Sequence, residues 1–326
     1  MFDIINKLTQ TFGPSGNEKK VADLIRDMLK DKVDEVKTDV LGNLICIKKG
    51  SGKKIMLAAH MDEIGIIVSF IDKNGFLRFS NVGGLNPFVI LGKRVIFENG
   101  SVGVVWYEEN IDDIKNIKLE KMYIDIAASS KEDAERLVNV GDMAVFEAGT
   151  ILQNGRIISK SMDNRIGCAV LVQTALNQPE TENEIYYVFT AQEEVGLRGA
   201  GPAAYGLMPD MALAVDVTAT GDTPECKPMA VKLGAGPAIK IKDRSVIAHP
   251  EVKDLLIKCA IENNIPHQFE ILSQGGTDAG SIHTTAGGIP SGGVAIPTRN
   301  VHNSAEIVDM KDVENAVKLI EAFINQ

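Results

Sequence analysis

The run Ile185-Tyr-Tyr-Val-Phe189 is apolar, β-branched and aromatic, and its length and content predict a buried strand. A strand with no polar face restricts the chain to a sheet covered on both sides. The next residues constrain it further: Thr190-Ala-Gln192 lead straight into two adjacent carboxylates, Glu193 and Glu194, ahead of Gly196. A buried, unpaired carboxylate costs several kcal/mol or takes up a proton, and no Lys or Arg closely precedes this pair. Neighbours on a strand face opposite ways, so one acid can bind a cation while the other handles a proton. Alone, such a pair reads as a solvated turn with two surface acids. Its company along the chain changes that reading.

The same design recurs. Ile55 to Ala59 is apolar and ends in His60-Met-Asp62, Met211 to Val215 ends in Asp216, and Val294 to Ile296 leads on to His302. Helical patterns separate these runs. Val21, Leu24, Ile25, Met28 and Leu29 repeat at helical spacing behind Ser15 and Glu18, which are spaced as a capping box. Ile166 to Leu176 is a nearly all-apolar helix, Pro250 opens another, and Val313, Ala316, Val317, Ile320 and Ile324 share one face of a last one. This alternation predicts an α/β fold whose mostly parallel sheet is covered by helices. Between them the texture changes. Asn74-Gly75 and Asn99-Gly100 sit between short apolar runs and predict hairpins. Residues 65–156 therefore read as a small β-rich domain inserted into a main domain made of 1–64 and 157–326.

Composition excludes several classes. A formal charge of −10, from 34 basic and 44 acidic residues, without a basic stripe argues against a nucleic-acid partner. No apolar run reaches the length of a membrane span, and the N-terminal residues show no secretory pattern. Cys46, Cys168, Cys226 and Cys259 lack CxxC spacing and read as reduced thiols, which suits a cytoplasmic protein.

In an open α/β sheet, ligands bind beyond the carboxyl ends of the strands. His60, Glu193, Glu194, Asp216 and His302 all come after such ends, and Asp163 stands at the mouth of the apolar helix. Two histidines with three or four carboxylates form the nitrogen and oxygen donor set that suits zinc, cobalt or manganese. Asp62, two residues past His60, is placed to accept the second imidazole N–H and fix its tautomer. Each residue alone has a bland reading, as a core histidine or a loop acid. Together they would need several coincidences at strand ends, so a metal centre is the better reading. His249, His267 and His283 read as structural or surface residues.

These motifs carry a resemblance. Ala58-Ala-His60-Met-Asp62-Glu-Ile-Gly65, Ser161-Met-Asp163-Asn-Arg165, Gln192-Glu193-Glu194-Val-Gly196, Val215-Asp216 and Gly276-Thr-Asp-Ala279 together resemble the M42 family of dinuclear metallo-aminopeptidases, over essentially the whole chain. The resemblance implies a zinc-exopeptidase-like fold and two divalent ions per chain, zinc or cobalt. It implies His60, Asp163 and Asp216 around one ion and Asp163, Glu194 and His302 around the other. Glu193 would be the general base and Asp62 the support of His60. It also implies removal of N-terminal residues from peptides and assembly of dimers into dodecamers through the inserted domain, for which a lid that only shapes the cleft is the alternative reading. One departure is plain: the family's last histidine usually comes after Arg-Tyr-x and before Ser-Pro, whereas here the stretch is Arg299-Asn-Val-His302-Asn-Ser304.

Two other readings compete. A glycoside hydrolase could use Glu193 and Glu194 as its carboxylate pair, but adjacent strand residues diverge and the histidines would have no task. A non-catalytic peptide- or metal-binding scaffold would have no use for the spare base Glu193.

Overall fold

The computed structural model describes residues 1–111 and 113–326. The chain enters through helices α1 (Phe2–Gln10) and α2 (Lys19–Leu29), then strands β1 (Glu35–Thr38), β2 (Leu44–Lys48) and β3 (Lys54–His60). The next six strands are β4 (Gly65–Ile71), β5 (Leu77–Val82), β6 (Arg94–Phe97), β7 (Val102–Tyr107), β8 (Met122–Asp125) and β9 (Met143–Phe146), with short helices α3 (Pro87–Ile90) and α4 (Lys131–Glu135) among them. The chain returns through β10 (Ile151–Gln153), β11 (Arg156–Ser159), α5 (Met162–Asn177), β12 (Glu184–Thr190), α6 (Ala200–Leu207) and β13 (Met211–Thr218). It finishes with β14 (Ala238–Lys242), α7 (Pro250–Glu262), β15 (Gln268–Ile271), α8 (Ala279–Ile282), β16 (Ser291–Arg299), β17 (Glu306–Asp309) and α9 (Met310–Ile324).

The main sheet has eleven strands in the path β1-β2-β12-β3-β13-β16-β17-β11-β10, with β14 and β15 joined beside β16. Its four central strands, β12, β3, β13 and β16, are parallel to one another. The flanks are antiparallel: β1 on β2, β2 on β12, β16 on β17, and β17 on β11. The mostly parallel sheet expected from the sequence is thus a mixed one. The rhythm of strand and helix describes only its centre, where each strand must cross over through a helix to rejoin its neighbour. The strands β11 and β17 fall in stretches that carry no strong apolar alternation, so local pattern does not mark them.

The parallel strands are sealed on both faces, as their unbroken apolar runs demand. The core on one side gathers α5, α9, α1 and α7 against β3, β12 and β13, with Leu57, Phe189, Leu213, Val170, Ile320 and Phe323 inaccessible. On the other side Ala200, Ala203, Ala204 and Leu207 of α6 and Ile282 of α8 cover Met56, Ala58, Tyr186 and Val188. Pro250 stands at the first turn of α7 as expected. The capping box does not form. Glu18 itself is the N-cap of α2 and no side chain caps it, because the Ser15 and Glu18 side chains bond to Asp62 and to the Gln192 backbone.

Strands β4 to β9 close into a barrel in the order β4-β5-β8-β7-β6-β9. It has its own core, including Ile66, Val68, Val95, Phe97, Val105 and Ile124. Both Asn-Gly turns lie where expected, between β4 and β5 and between β6 and β7, each joining antiparallel strands. β10 belongs elsewhere. It falls inside the segment 65–156 but pairs with β11 of the main sheet, so the barrel ends with Phe146. No helix among the described residues is long and apolar enough to cross a membrane.

Candidate metal centre

The carboxyl ends of the central strands open into a cleft of about 1040 Å³, lined by His60, Asp163, Glu193, Glu194, Asp216 and His302 together with loops from both sides. The elements deliver these groups in different ways. His60 is the last residue of β3 and Asp216 lies within β13, so both are fixed by strand pairing. Glu193 and Glu194 lie beyond the end of β12, in a turn that starts at Gln192 with φ +58. Their divergence therefore comes from the turn and not from strand alternation. Asp163 sits within the first turn of α5 but, with Asn164, departs from helical dihedrals. His302 lies between β16 and β17 at φ +61.

Asp163 stands in the middle. Its Oδ1 is 3.1 Å from His60 Nε2 and its Oδ2 is 3.3 Å from His302 Nε2. His60 Nε2 is also 3.7 Å from Asp216 Oδ1 and 3.8 Å from Glu193 Oε2. On the far side, Glu194 Oε2 lies 3.2 Å from His302 Nε2. Two groups result, each with ligand atoms within 4.8 Å of one another: His60, Asp163 and Asp216, and Asp163, Glu194 and His302. They share Asp163, and Glu193 is left outside both. The barrel closes one wall: a Cβ added at Gly84 would come within 3.0 Å of His302 Nδ1, so the imidazole rests against bare backbone there.

The electrostatics call for a cation. Burial drives Glu193 and Asp216 well above the usual carboxylate range; His60 opposes this, and other carboxylates add to it. Glu194 is raised as well, by burial and then by Asp163. Asp163 moves the other way, because hydrogen bonds to His302 and His60 outweigh its burial. The His60 imidazole is pushed up: burial opposes its charge, but Glu193, Asp163, Asp62 and Asp216 prevail. Four carboxylates facing two imidazoles leave surplus negative charge in a buried place, a costly arrangement without a cation. Glu194 Oε1 is buried and has no hydrogen-bond partner among the described residues. Imidazole and carboxylate donors converging in this way fit a divalent transition metal.

Asp62 lies behind the cleft. His60 Nδ1 is nearest to the Asp62 main-chain oxygen, at 3.1 Å, with the carboxylate at 3.4 Å. The carboxylate does more for the turn: it accepts the N–H groups of Glu193 and Glu194 at 3.0 and 3.1 Å and the Ser15 hydroxyl at 2.6 Å. Glu18 accepts the Gln192 N–H at 3.1 Å. The two residues spaced as a helix cap thus brace the Glu193–Glu194 turn instead.

Among the buried acids that escape a reading of the sequence, Glu63 and Glu306 stand beside the site. Glu63 pairs with Lys160 and Arg165. Glu306 accepts the N–H groups of Asp163 and His302, and burial, with the Asp163 charge adding, pushes it up to about 8. Nothing in the local pattern marks either as buried. His267 and His283 make local contacts to Ile265 and Ala279, and neither they nor His249 line the cleft. The four cysteines are free.

The family model for the M42 glutamyl aminopeptidases matches residues 42–319. A relative from Acetivibrio thermocellus, described as a putative aminopeptidase, is 58% identical over 98% of this chain and 97% of its own. Among solved structures, an aminopeptidase from the archaeon Desulfurococcus kamchatkensis superposes with a TM-score of 0.96 at 40% identity, covering 99% of this chain and 94% of that one. The TET1 peptidase of Pyrococcus horikoshii, described as able to assemble into a tetrahedron or a large octahedral shell, gives a TM-score of 0.89 at 32% identity, covering 100% and 99%. On this sequence match, this fold and this convergence of side chains, the chain belongs to the M42 family and is an aminopeptidase, a hydrolase of peptide N-termini.

Proposed function

We infer that the protein is a metal-dependent aminopeptidase in which His60, Asp163 and Asp216 hold one divalent ion and Asp163, Glu194 and His302 a second, zinc or cobalt by donor chemistry. The observation that carries this reading is the sharing of Asp163 by two donor groups while Glu193 remains beside them and outside both. When bound, such ions would supply Lewis acidity toward water and a peptide carbonyl. The chain's own residues account for the rest. Glu193 is almost enclosed, with 11% of its side chain exposed, and burial raises its proton affinity. It is therefore suited to take a proton from the attacking water at Oε2 and return it to the departing amine. Asp62 and Ser15 hold the turn that aims it. Residues 218–220 and the 271–277 loop line the same cleft and are surfaces that a bound peptide would meet there.

We further read residues 65–156 as the inserted domain, with the observed barrel at its centre, and assign self-assembly into dimers and then dodecamers to it. A cytoplasmic setting suits the four unpaired thiols.

The test is hydrolysis of an aminoacyl anilide before and after chelation. Activity should vanish in the chelated protein and return with divalent metal, and an N-acetylated substrate should resist cleavage throughout. Circular dichroism should be unchanged in the chelated protein, because the core is too large to depend on metal for folding. Full activity in a metal-free preparation verified by mass spectrometry would overturn the reading.

A further inference from the structure

Beside the two donor groups, and not among the residues lining the cleft, stands Glu306. It opens β17 and is 1% exposed. Its two oxygens do separate work. Oε2 accepts the N–H of Asp163 at 3.1 Å, and Oε1 accepts the N–H of His302 at 2.7 Å. These residues reach the site on different elements, Asp163 at the start of α5 and His302 on the connection from β16 to β17. Both backbones need holding. His302 has φ +61, a left-handed conformation that a non-glycine residue keeps only when its surroundings enforce it. Asp163 has φ −76 and ψ 105, outside the helix that continues from it. The nearby cation does not explain Glu306, because the Lys160 ammonium goes to Glu63 and Ser161.

We propose that Glu306 is the positioning residue of the Asp163–Glu194–His302 group: by accepting both N–H groups it fixes the distance between an imidazole and a carboxylate carried by separate elements. It touches neither substrate nor ion and acts only through the two backbones. The proposal rests on the reading of the cleft as a two-ion centre, and it makes an asymmetric claim. Two of the three donors in the His302 group hang on Glu306, whereas in the His60–Asp163–Asp216 group only one does.

Glu306→Gln tests this at almost constant shape. The amide keeps one accepting oxygen but turns an NH2 toward the other backbone N–H, so one of the two backbones is released. The metal-free protein is titrated with cobalt(II) chloride, with heat and visible absorption recorded, for the parent, Glu306→Gln and Glu306→Asp. The His302→Ala protein identifies which equivalent belongs to the His302 group. One equivalent, that of the His302 group, should weaken by roughly 10–100-fold, the range for loss of a group supporting a ligand. The other, which depends on Glu306 only through the shared Asp163, should weaken clearly less. Glu306→Asp keeps the carboxyl group but shortens the arm, so it should show the same unequal weakening. It serves alone if the glutamine variant does not fold. In turnover, kcat should fall with the weakened equivalent while KM moves little.

Parental binding of both equivalents in either soluble variant overturns the proposal. So does equal weakening of both together with a lowered melting temperature of the metal-free protein, since that is the signature of a generally loosened fold. If the parent protein itself binds no cobalt(II), it is the two-ion reading that fails, and the two failures are told apart in the first titration.

Discussion

Glu193 and Glu194 share one turn but not one set of neighbours, since the first faces His60 and the second His302. Glu194→Gln removes a charged donor oxygen, so metal content should fall. Glu193→Gln leaves both donor groups intact and should retain the parental metal content, yet kcat should drop on the order of 10²–10⁴ with KM little changed. Metal analysis beside steady-state kinetics decides it; a Glu193→Gln protein that sheds metal while Glu194→Gln keeps it would mean the roles are reversed. Arg165 shows the same economy in a structural role. It is inaccessible, and it donates to the carbonyls of Leu8, Thr11, Gly13 and Met61 and to Glu63. Arg165→Met removes the charged donor from all four carbonyls, although Leu8 and Gly13 keep the N–H groups of Thr11 and Glu63, and it leaves Lys160 to balance the Glu63 charge; breaking this buried pair should cost about 3–5 kcal/mol. Denaturant unfolding measures this, and a loss under about 1 kcal/mol, the usual worth of an exposed pair, would refute it.

Among the elements, α5 and β13 set the depth of the cleft, since one begins beside Asp163 and the other carries Asp216. They approach closely at Gly167, where an added Cβ would lie 2.6 Å from the Val215 carbonyl oxygen. Inside a helix, Gly→Ala ordinarily gains about 1 kcal/mol. Here overpacking should win, and Gly167→Ala should destabilise by about 1–3 kcal/mol. The sign alone settles the matter: a higher unfolding midpoint would show that the two elements can move apart at no cost.

At the scale of the whole molecule, the barrel presents an apolar stripe to solvent. Val102, Val104 and Trp106 alternate along the outer face of β7 at 43, 39 and 42% exposure, and Phe70 and Phe88 are more than half exposed. An exposed apolar row such as that on β7 suits a contact between chains, and the related TET1 peptidase is described as able to assemble into a tetrahedron or a large octahedral shell. Light scattering should find a particle much larger than one 35.2 kDa chain, and Trp106→Glu should shrink it without unfolding the barrel. A strict monomer at every concentration would contradict this. A particle of unchanged size in the Trp106→Glu protein would place the contacts elsewhere.

Much of this is written locally. Apolar runs ending in His60, Asp216 and Glu193 name the central strands and the rim they share, because a strand buried on both faces has no other way to appear in sequence, and the Asn-Gly pairs name the barrel's hairpins. Spacing also sets His302 apart from His249, His267 and His283. Ser15 and Glu18 mark the limit: their spacing is that of a helix cap, yet tertiary structure uses them to brace a turn more than 170 residues away in the chain. Asp62 is legible as a partner of His60, but its second task on the Glu193–Glu194 turn depends on packing. The antiparallel pairing of β17 with β16 and β11, β10 on the main sheet, and the burial of Glu63 and Glu306 leave no local trace. Hydrophobic periodicity is a property of neighbours in the chain and can be read from it, whereas a hydrogen bond between distant segments exists only once the fold has brought them together.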